Sequence, residues 1–314
     1  MFSFARCVAG VRPLIGRAVY TGMLNARGTY ESDVTVTRVA HDEYLVVSSA
    51  ATTERDQDHI RRNLPSGASA TLVDVTSSLA VFGVMGPRSR DLLSRLSPDD
   101  LDDFPFGTSR SISLGHATVR ATRITYVGEL GWELYVPTEF AVGVYEDLLA
   151  AGSDLDVHRG GYYAIESMRL EKGYRAFGKE LTPDYDPVEA GLLFACKLKT
   201  DIDFLGRAAV EETRAGGPRR RLVSFQVSDP EPMLWGGELV VRDGVPAGQV
   251  TSAAWGETLG CCVGLAYLWD SGGAVIDGDW VRGASYEVNV GGDRFPITVS
   301  LKPLYDPANE RIRS

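Results

Sequence analysis

Carboxylates in unexpected settings are the first candidates for chemistry in this chain. Asp33 opens DVTVTRV (33–39), a β-branched run where an acid is disfavoured unless its face is wet or it has a task. Glu166 and Glu171 lie five apart within the helical stretch GYYAIESMRLEKGYR (161–175), so they do not share a face and at most one enters a given pocket. Glu133 and Tyr135, in TYVGELGWELYV (125–136), are two apart on an extended run and point the same way, toward either water or a ligand. His41, His59, His116 and His158 stand apart in polar contexts and read as solvated side chains. Cys7, Cys196, Cys261 and Cys262 form no C-x-x-C and no Cys/His cluster, so no metal site is expected and the thiols read as reduced.

Several chemistries are excluded by pattern. There is no G-x-G-x-x-G after a strand, no Walker lysine loop, no G-x-S-x-G elbow and no H-E-x-x-H, so neither a nucleotide site nor an FAD site is expected. A net charge of −10 without a sustained basic face argues against nucleic acid. The densest basic spot, GGPRRRLV (216–223), reads as a charged linker. The longest apolar runs fall far short of the ~20 residues of a membrane helix. The first thirty residues carry Arg6, Arg12, Arg17 and Arg27 and no acid, the composition of a mitochondrial transit peptide; from about Gly16 onward, however, the segment reads as part of the fold, and the cytoplasm is the expected compartment.

The elements that must position these residues alternate strands with a few helices. DVTVTRV (33–39) and EYLVVSS (43–49) read as strands and TTERDQDHIRRN (52–63) as a polar helix. SLAVFGVMG (78–86) reads as a buried strand and PRSRDLLSRL (87–96) as a helix. TYVGELGWELYV reads as a hairpin whose glycines, Gly128 and Gly131, permit a tight reversal, with helices at about 138–150 and within 161–175. After RAGGPRRR (214–221) nearly every segment reads as strand: LVSFQV, ELVVR, AGQVTSAAW, CVGLAYLW, YEVNV and FPITVSL. That spacing predicts a small β-barrel or sandwich.

Six stretches, the first beginning at Gly16 and continuing RAVYTGMLNARGTYESDVTVTR (17–38), together resemble the tetrahydrofolate-binding aminomethyltransferase family. The others are LAVFGVMGP (79–87), TYVGELGWELYV (125–136), AIESMRLEKGYRAFGKEL (164–181), PVEAGL (187–192) and DFLGRAA (203–209). That family includes the glycine-cleavage T protein and the folate module of dimethylglycine and sarcosine dehydrogenases. RLEKGYRAFGKEL and PLYDPANERIR look closer to the dehydrogenase-linked modules. The resemblance implies an α+β fold, a three-domain cloverleaf around a central folate site, with a C-terminal all-β barrel or sandwich. The implied units are 1–75, 76–215 and 219–314. Members normally carry several dozen more residues before the segment matching Gly16, so an incomplete N-terminal domain is expected.

By the same resemblance Asp33 matches the catalytic acid, and Tyr20 and Thr35 match folate contacts beside it. Glu133, Leu134 and Tyr135 match the hairpin contact, Glu171 the glutamate that grips the pterin, and Tyr126, Tyr174 and Lys197 further contacts. The residue types suit the task. A pterin offers two parallel donors that one carboxylate accepts together, tyrosines supply flat walls, and the cationic KLK at 197–199 suits a glutamate tail. The implied reaction moves a formaldehyde-level carbon from an aminomethyl or N-methyl-amine-derived iminium donor to give 5,10-methylenetetrahydrofolate, with a flavin-containing oxidoreductase subunit or a lipoyl carrier protein as partner. Other readings on the same fold are an O- or S-demethylase, an inactive remnant, and a non-catalytic folate binder for iron–sulfur maintenance. The last resembles K-G-C-Y-x-G-Q-E, whereas this chain has Lys172-Gly173-Tyr174-Arg175 without the cysteine.

Overall fold

Alternation in YESDVTVTR sends Ser32, Val34 and Val36 to one face of a strand and Glu31, Asp33 and Thr35 to the other. In the computed structural model, which describes residues 14–314, this strand is β2 (Tyr30–Arg38). It lies between β1 (Ala18–Leu24) and β3 (Tyr44–Val47) in an antiparallel sheet. Met23, Val34 and Val36 form a small core to which Ile60 of α1 (Thr53–Arg62) adds. The face bearing Asp33 is left for other use.

A second antiparallel sheet has the order β4 (Leu79–Met85), β7 (Gly131–Pro137), β6 (Ala117–Thr122), β5 (Ser109–Leu114). Its apolar face, with Trp132, Leu134, Val136, Val119 and Ile112, packs against Leu92 and Leu93 of α2 (Ser89–Ser94) and Val144 and Leu148 of α3 (Ala141–Ala151). The two sheets are stitched where β1 begins: Ala18 N donates to Gly107 O at 2.9 Å and Ser109 N to Gly16 O at 2.7 Å. The stretch expected to be a tight hairpin is different in form. β7 pairs with β4 and β6, and 125–130 is a bent loop between β6 and β7 rather than a strand. Gly128 has the left-handed φ of +81° that a turn glycine supplies, but Gly131 does not; it is glycine because a Cβ there would lie 2.9 Å from Val84 O.

After α4 (Tyr162–Glu171) and a long ordered loop comes α5 (Arg207–Gly216), which the local sequence pattern does not announce. The barrel follows at once. Its strands β8 (Arg220–Val227), β9 (Leu239–Arg242), β10 (Val245–Gly256), β11 (Cys261–Trp269), β12 (Tyr286–Val290) and β13 (Asp293–Ser300) close in the order β10-β11-β8-β13-β12-β9. Closure leaves no edge of this sheet unpaired and makes it a barrel, not a sandwich. The basic run expected to be a linker belongs mostly to β8: Arg220 pairs with Glu189 at 3.1 Å and Arg221 donates to Val188 O, fastening the barrel to the preceding loop.

Arg6, Arg12 and Cys7 lie outside the described residues. Arg27 belongs to the fold and donates to Pro183 O. Among the described residues no helix is long and apolar enough to cross a membrane, and no group of three or more His, Cys, Asp and Glu is placed to hold a metal ion.

α4 is joined to the barrel by a buried polar network. Arg169, fully buried, donates to Glu180 at 2.7 Å and to Glu166 at 2.6 Å. Glu180, equally buried, also accepts from Thr251 Oγ1 (2.7 Å) and Ser252 Oγ (2.5 Å) of β10 and from Ala176 N (2.9 Å). Removing one partner of such a pair leaves the other charge buried and uncompensated. Arg169→Met is expected to lower unfolding free energy by about 3–5 kcal/mol. Arg62→Ala, at the exposed pair with Asp58, should change it by less than about 0.5 kcal/mol. Urea titration of both variants checks this, and similar losses for the two would refute the network's role.

Candidate functional site

On β1 and β2 the register sets Gly22 opposite Asp33 and Tyr20 opposite Thr35, so Tyr20, Asp33 and Thr35 share one face. Tyr20 donates its hydroxyl to Asp33 Oδ2 at 3.0 Å. Burial pushes the Asp33 carboxyl above the usual carboxylate range; the Tyr20 bond opposes this, and the nearby Asp56 adds to it. The Tyr20 hydroxyl is itself driven far up, first by burial and then by Asp33. Yet the Tyr20 side of the sheet is not sealed, for the residue keeps 36% of its surface accessible. The Tyr20–Asp33 pair therefore lies on an accessible face of the sheet.

The 125–130 loop contributes Tyr126. It donates to Arg175 O at 2.9 Å, and its ring lies within 12° of parallel to that of Tyr174, with centroids 6.1 Å apart. Burial drives the Tyr126 hydroxyl well up, Arg169 opposes the shift, and Glu180 and then Asp33 add to it. Tyr174 is pushed up to about 12 by burial and by Asp306. The loop is held from behind: the Lys172 stem passes under Gly128, where a Cβ would come within 2.8 Å, and its ammonium binds Asp306 Oδ2 at 2.8 Å and Asp306 O at 2.6 Å.

The other expected site residues lie on β7, at the end of α4 and in the loop after residue 195. Glu133 and Tyr135 do share a face, and Tyr135 donates to Glu133 Oε2 at 2.5 Å; burial raises the Glu133 carboxyl while this bond opposes the shift. Leu134 turns its side chain to the opposite face, fully buried with Trp132 and Val136, so only its backbone is shared with the side bearing Glu133 and Tyr135. Glu171 is buried and its Oε1 accepts from Thr258 N (2.9 Å) and Leu259 N (3.0 Å) in the β10–β11 turn. Its Oε2 accepts no hydrogen bond among the described residues. Lys197 is exposed in a turn after residue 195.

Two buried charged residues were not singled out from sequence. Arg175 donates to Ala190 O and Gly173 O, and burial lowers its pKa. Asp56, on α1, is buried, accepts from Thr52 at 2.7 Å and leaves Oδ1 without a partner among the described residues. Neither is marked locally: Asp56 is one of several charged residues on a helix whose one apolar side chain is Ile60, and Arg175 follows a tyrosine just past the end of α4.

Comparison with known proteins agrees with this architecture. Residues 7–200 match the family described as GCVT N-terminal domain, and residues 220–306 match the glycine cleavage T-protein C-terminal barrel domain. The chain is 38% identical over 299 residues to a 4-methylaminobutanoate oxidase (formaldehyde-forming) of Paenarthrobacter nicotinovorans, covering 95% of this chain and 35% of that protein. It is likewise 38% identical to the mitochondrial sarcosine dehydrogenase of Homo sapiens, covering 95% of this chain and 34% of the relative. An aminomethyltransferase of Geobacillus kaustophilus (strain HTA426) is 32% identical, with 95% of this chain and 79% of the relative covered. The chain thus spans about a third of the length of the first two relatives. The crystal structure of glycine cleavage system aminomethyltransferase T from Bartonella henselae superposes with a TM-score of 0.81 at 23% identity, over 95% of this chain and 78% of that one, a likeness of fold.

An acid held protonated more readily in the folded chain than in the unfolded one binds extra protons when folded. Stability then falls as pH rises from the unfolded carboxylate value through the raised folded one. Asp33→Asn removes this dependence. Its melting temperature should exceed that of the wild type at neutral pH and converge with it near pH ~4; parallel curves across that range would refute a desolvated Asp33.

Proposed function

Because this chain belongs to the glycine-cleavage T-protein family through both its N-terminal and its barrel domain, we propose that it binds tetrahydrofolate and transfers a formaldehyde-level carbon from an amine-derived donor to give 5,10-methylenetetrahydrofolate. The single observation that supports the reading most is the Tyr20–Asp33 pair on an accessible sheet face, an acid of raised pKa held by a tyrosine hydroxyl. The residues fit a reduced pterin cofactor: an acid of raised pKa beside open aromatic faces suits a flat heterocycle with titratable ring nitrogens.

When bound, tetrahydrofolate supplies the nucleophilic nitrogens N5 and N10. Asp33 orients them and takes up a proton at its carboxylate; its raised pKa brings it nearer the working pH, where a general base is most effective. Tyr20 holds the Asp33 carboxyl in place. Tyr126 and Tyr174 form the aromatic wall, Thr35 borders Asp33 on its strand, and Glu133 with Tyr135 forms a second polar wall. Lys197, exposed and cationic, meets the glutamate tail at the mouth. Excluding water from this interior protects an iminium donor from hydrolysis.

The relatives named for sarcosine and 4-methylaminobutanoate support donors derived from N-methyl amino acids. This sequence carries no flavin motif, and oxidation of the amine is assigned to a flavin-containing oxidoreductase; a lipoyl carrier protein is the alternative source of the aminomethyl group. The free thiols Cys196, Cys261 and Cys262 fit the cytoplasm.

Calorimetry with tetrahydrofolate should give binding at micromolar concentration; no heat there would sink the folate reading. Asp33→Ala should lower kcat by roughly 10²–10⁴-fold while leaving most of the folate affinity, and wild-type turnover by this variant would overturn its role. Glu171 separates two roles by a second readout. If its carboxylate mainly holds the barrel turn, Glu171→Gln lowers the melting temperature while the folded protein keeps its folate affinity; a weakened affinity at unchanged melting temperature would instead restore a pterin contact.

A further inference from the structure

The segment that follows β13 does not stay with the barrel. Tyr305 N donates to Glu171 O, at the end of α4, at 3.0 Å, and Ile312 O accepts from Arg123 Nη2, just past β6, at 3.4 Å. Between these ties the chain makes a tight turn. Asp306 sits there at a left-handed φ of +43°, a conformation that a non-glycine residue keeps only where its surroundings enforce it. Its carboxylate accepts from Glu310 N at 2.9 Å and from Arg311 N at 3.3 Å. The same residue takes Lys172: the ammonium donates to Asp306 Oδ2 at 2.8 Å and to Asp306 O at 2.6 Å, and both side chains are buried.

This turn holds the 125–130 loop at two points. Gly128 rests on the Lys172 stem, where a Cβ would lie 2.8 Å from both Cγ and Cδ. The next residue, Glu129, accepts from the Tyr305 hydroxyl, and Arg311 Nη1 stands 3.4 Å from Glu129 Oε1. Tyr126 lies two residues before Gly128, and Tyr174 lies two residues after Lys172. The two near-parallel rings, 6.1 Å apart at their centroids, are thus carried by the two chains that cross at Gly128 and Lys172. How the loop sits on the lysine sets how the rings are spaced.

An apolar side chain under Gly128 would support the loop without desolvating two charges, and such a replacement of a buried ion pair is often neutral or stabilising. What the pair adds is direction. An ammonium accepted by one carboxylate and one carbonyl fixes where the stem runs, and contact with the stem fixes the height of the loop.

We propose that Asp306 is a positioning residue for the aromatic wall of the folate site. The 305–311 turn latches the 125–130 loop through Lys172 and Glu129, and the Tyr126–Tyr174 geometry offered to a flat ring depends on that latch. The proposal rests on the folate reading above and deepens it, because affinity for the pterin then depends on residues behind the wall.

Two measurements on the whole chain test it. Val127, Gly128 and Leu130 are buried, so their amides exchange slowly while the loop is seated. Hydrogen exchange of the 125–130 peptide, read by mass spectrometry, should quicken in Asp306→Asn and in Lys172→Met, which keeps a stem and loses the ammonium. It should quicken less in Tyr305→Phe, which loses one hydroxyl and keeps the buried pair. Calorimetry should show tetrahydrofolate binding weakened roughly tenfold in Asp306→Asn, the scale of one aromatic contact, and partly restored in Asp306→Glu. Val288→Ala, in the barrel core, is the control for general destabilisation: it should lower the melting temperature and leave both readouts as in wild type. Unchanged exchange in Asp306→Asn overturns the latch. Faster exchange with wild-type folate affinity overturns the positioning role, and so do equal changes in Val288→Ala. If neither Asp306→Asn nor Lys172→Met folds, Tyr305→Phe decides by the same two readouts. Failure of wild type to bind tetrahydrofolate sinks the folate reading and the positioning role with it, while exchange, which needs no folate, still decides the latch.

Discussion

Arg169 and Glu180 form an ion pair from which water is wholly excluded, and the positions of the site residues depend on it. Such a pair repays its desolvation only if every remaining lone pair and proton is used. Here they are: Glu180 is shared between Arg169, a main-chain N–H and two hydroxyls of β10, and Tyr267 binds the Glu180 carbonyl at 2.9 Å. The chain between the two partners has little freedom left, and it carries Glu171, Lys172, Tyr174 and Arg175. Several candidate site residues thus lie on a segment whose ends are fixed by charge.

A second buried pair, Lys172 with Asp306, does for the 125–130 loop what the first does for the 172–181 segment. Gly128 lets the lysine pass and Tyr126 emerges on the other side of the same loop. The C-terminal segment joins in, with Tyr305 N donating to Glu171 O at 3.0 Å. Pairing is complete in these networks and incomplete among the described residues at Asp33, which has no cationic partner, at Arg175, whose Nη2 makes no hydrogen bond, and at the orphan oxygen of Asp56. Satisfied polar networks specify structure, and unsatisfied ones in the same protein mark where a ligand completes them.

Local pattern carries most of the architecture. The barrel strands are legible because each has a β-branched run bounded by Gly, Pro, Asp or Ser, and β2 because its alternation is strict. α5 escapes notice because RAAVEETRAG follows a glycine and runs into GGPRRR, which reads as a breaker, although Val210 packs its one apolar turn into the core. The expected hairpin differs in form because TYV is β-rich in composition, yet the partner of β7 across the loop is β6. The Leu134 side chain parts from those of Glu133 and Tyr135 for a simpler reason: consecutive strand residues alternate faces.

Spacing along the chain suffices to mark most strands and helices, to show Asp33 as an acid out of place, and to put Glu133 and Tyr135 on one face. Each of these follows from covalent periodicity, a matter of neighbours two to four residues away. What each charge meets is settled by the packed fold instead. Glu171 finds the amides of Thr258 and Leu259, Arg169 finds Glu180, Lys172 finds Asp306, and Arg175 finds no acid among the described residues. Electrostatic partners are chosen by proximity in space and by exclusion of water, and neither is written in the spacing of residues along the chain.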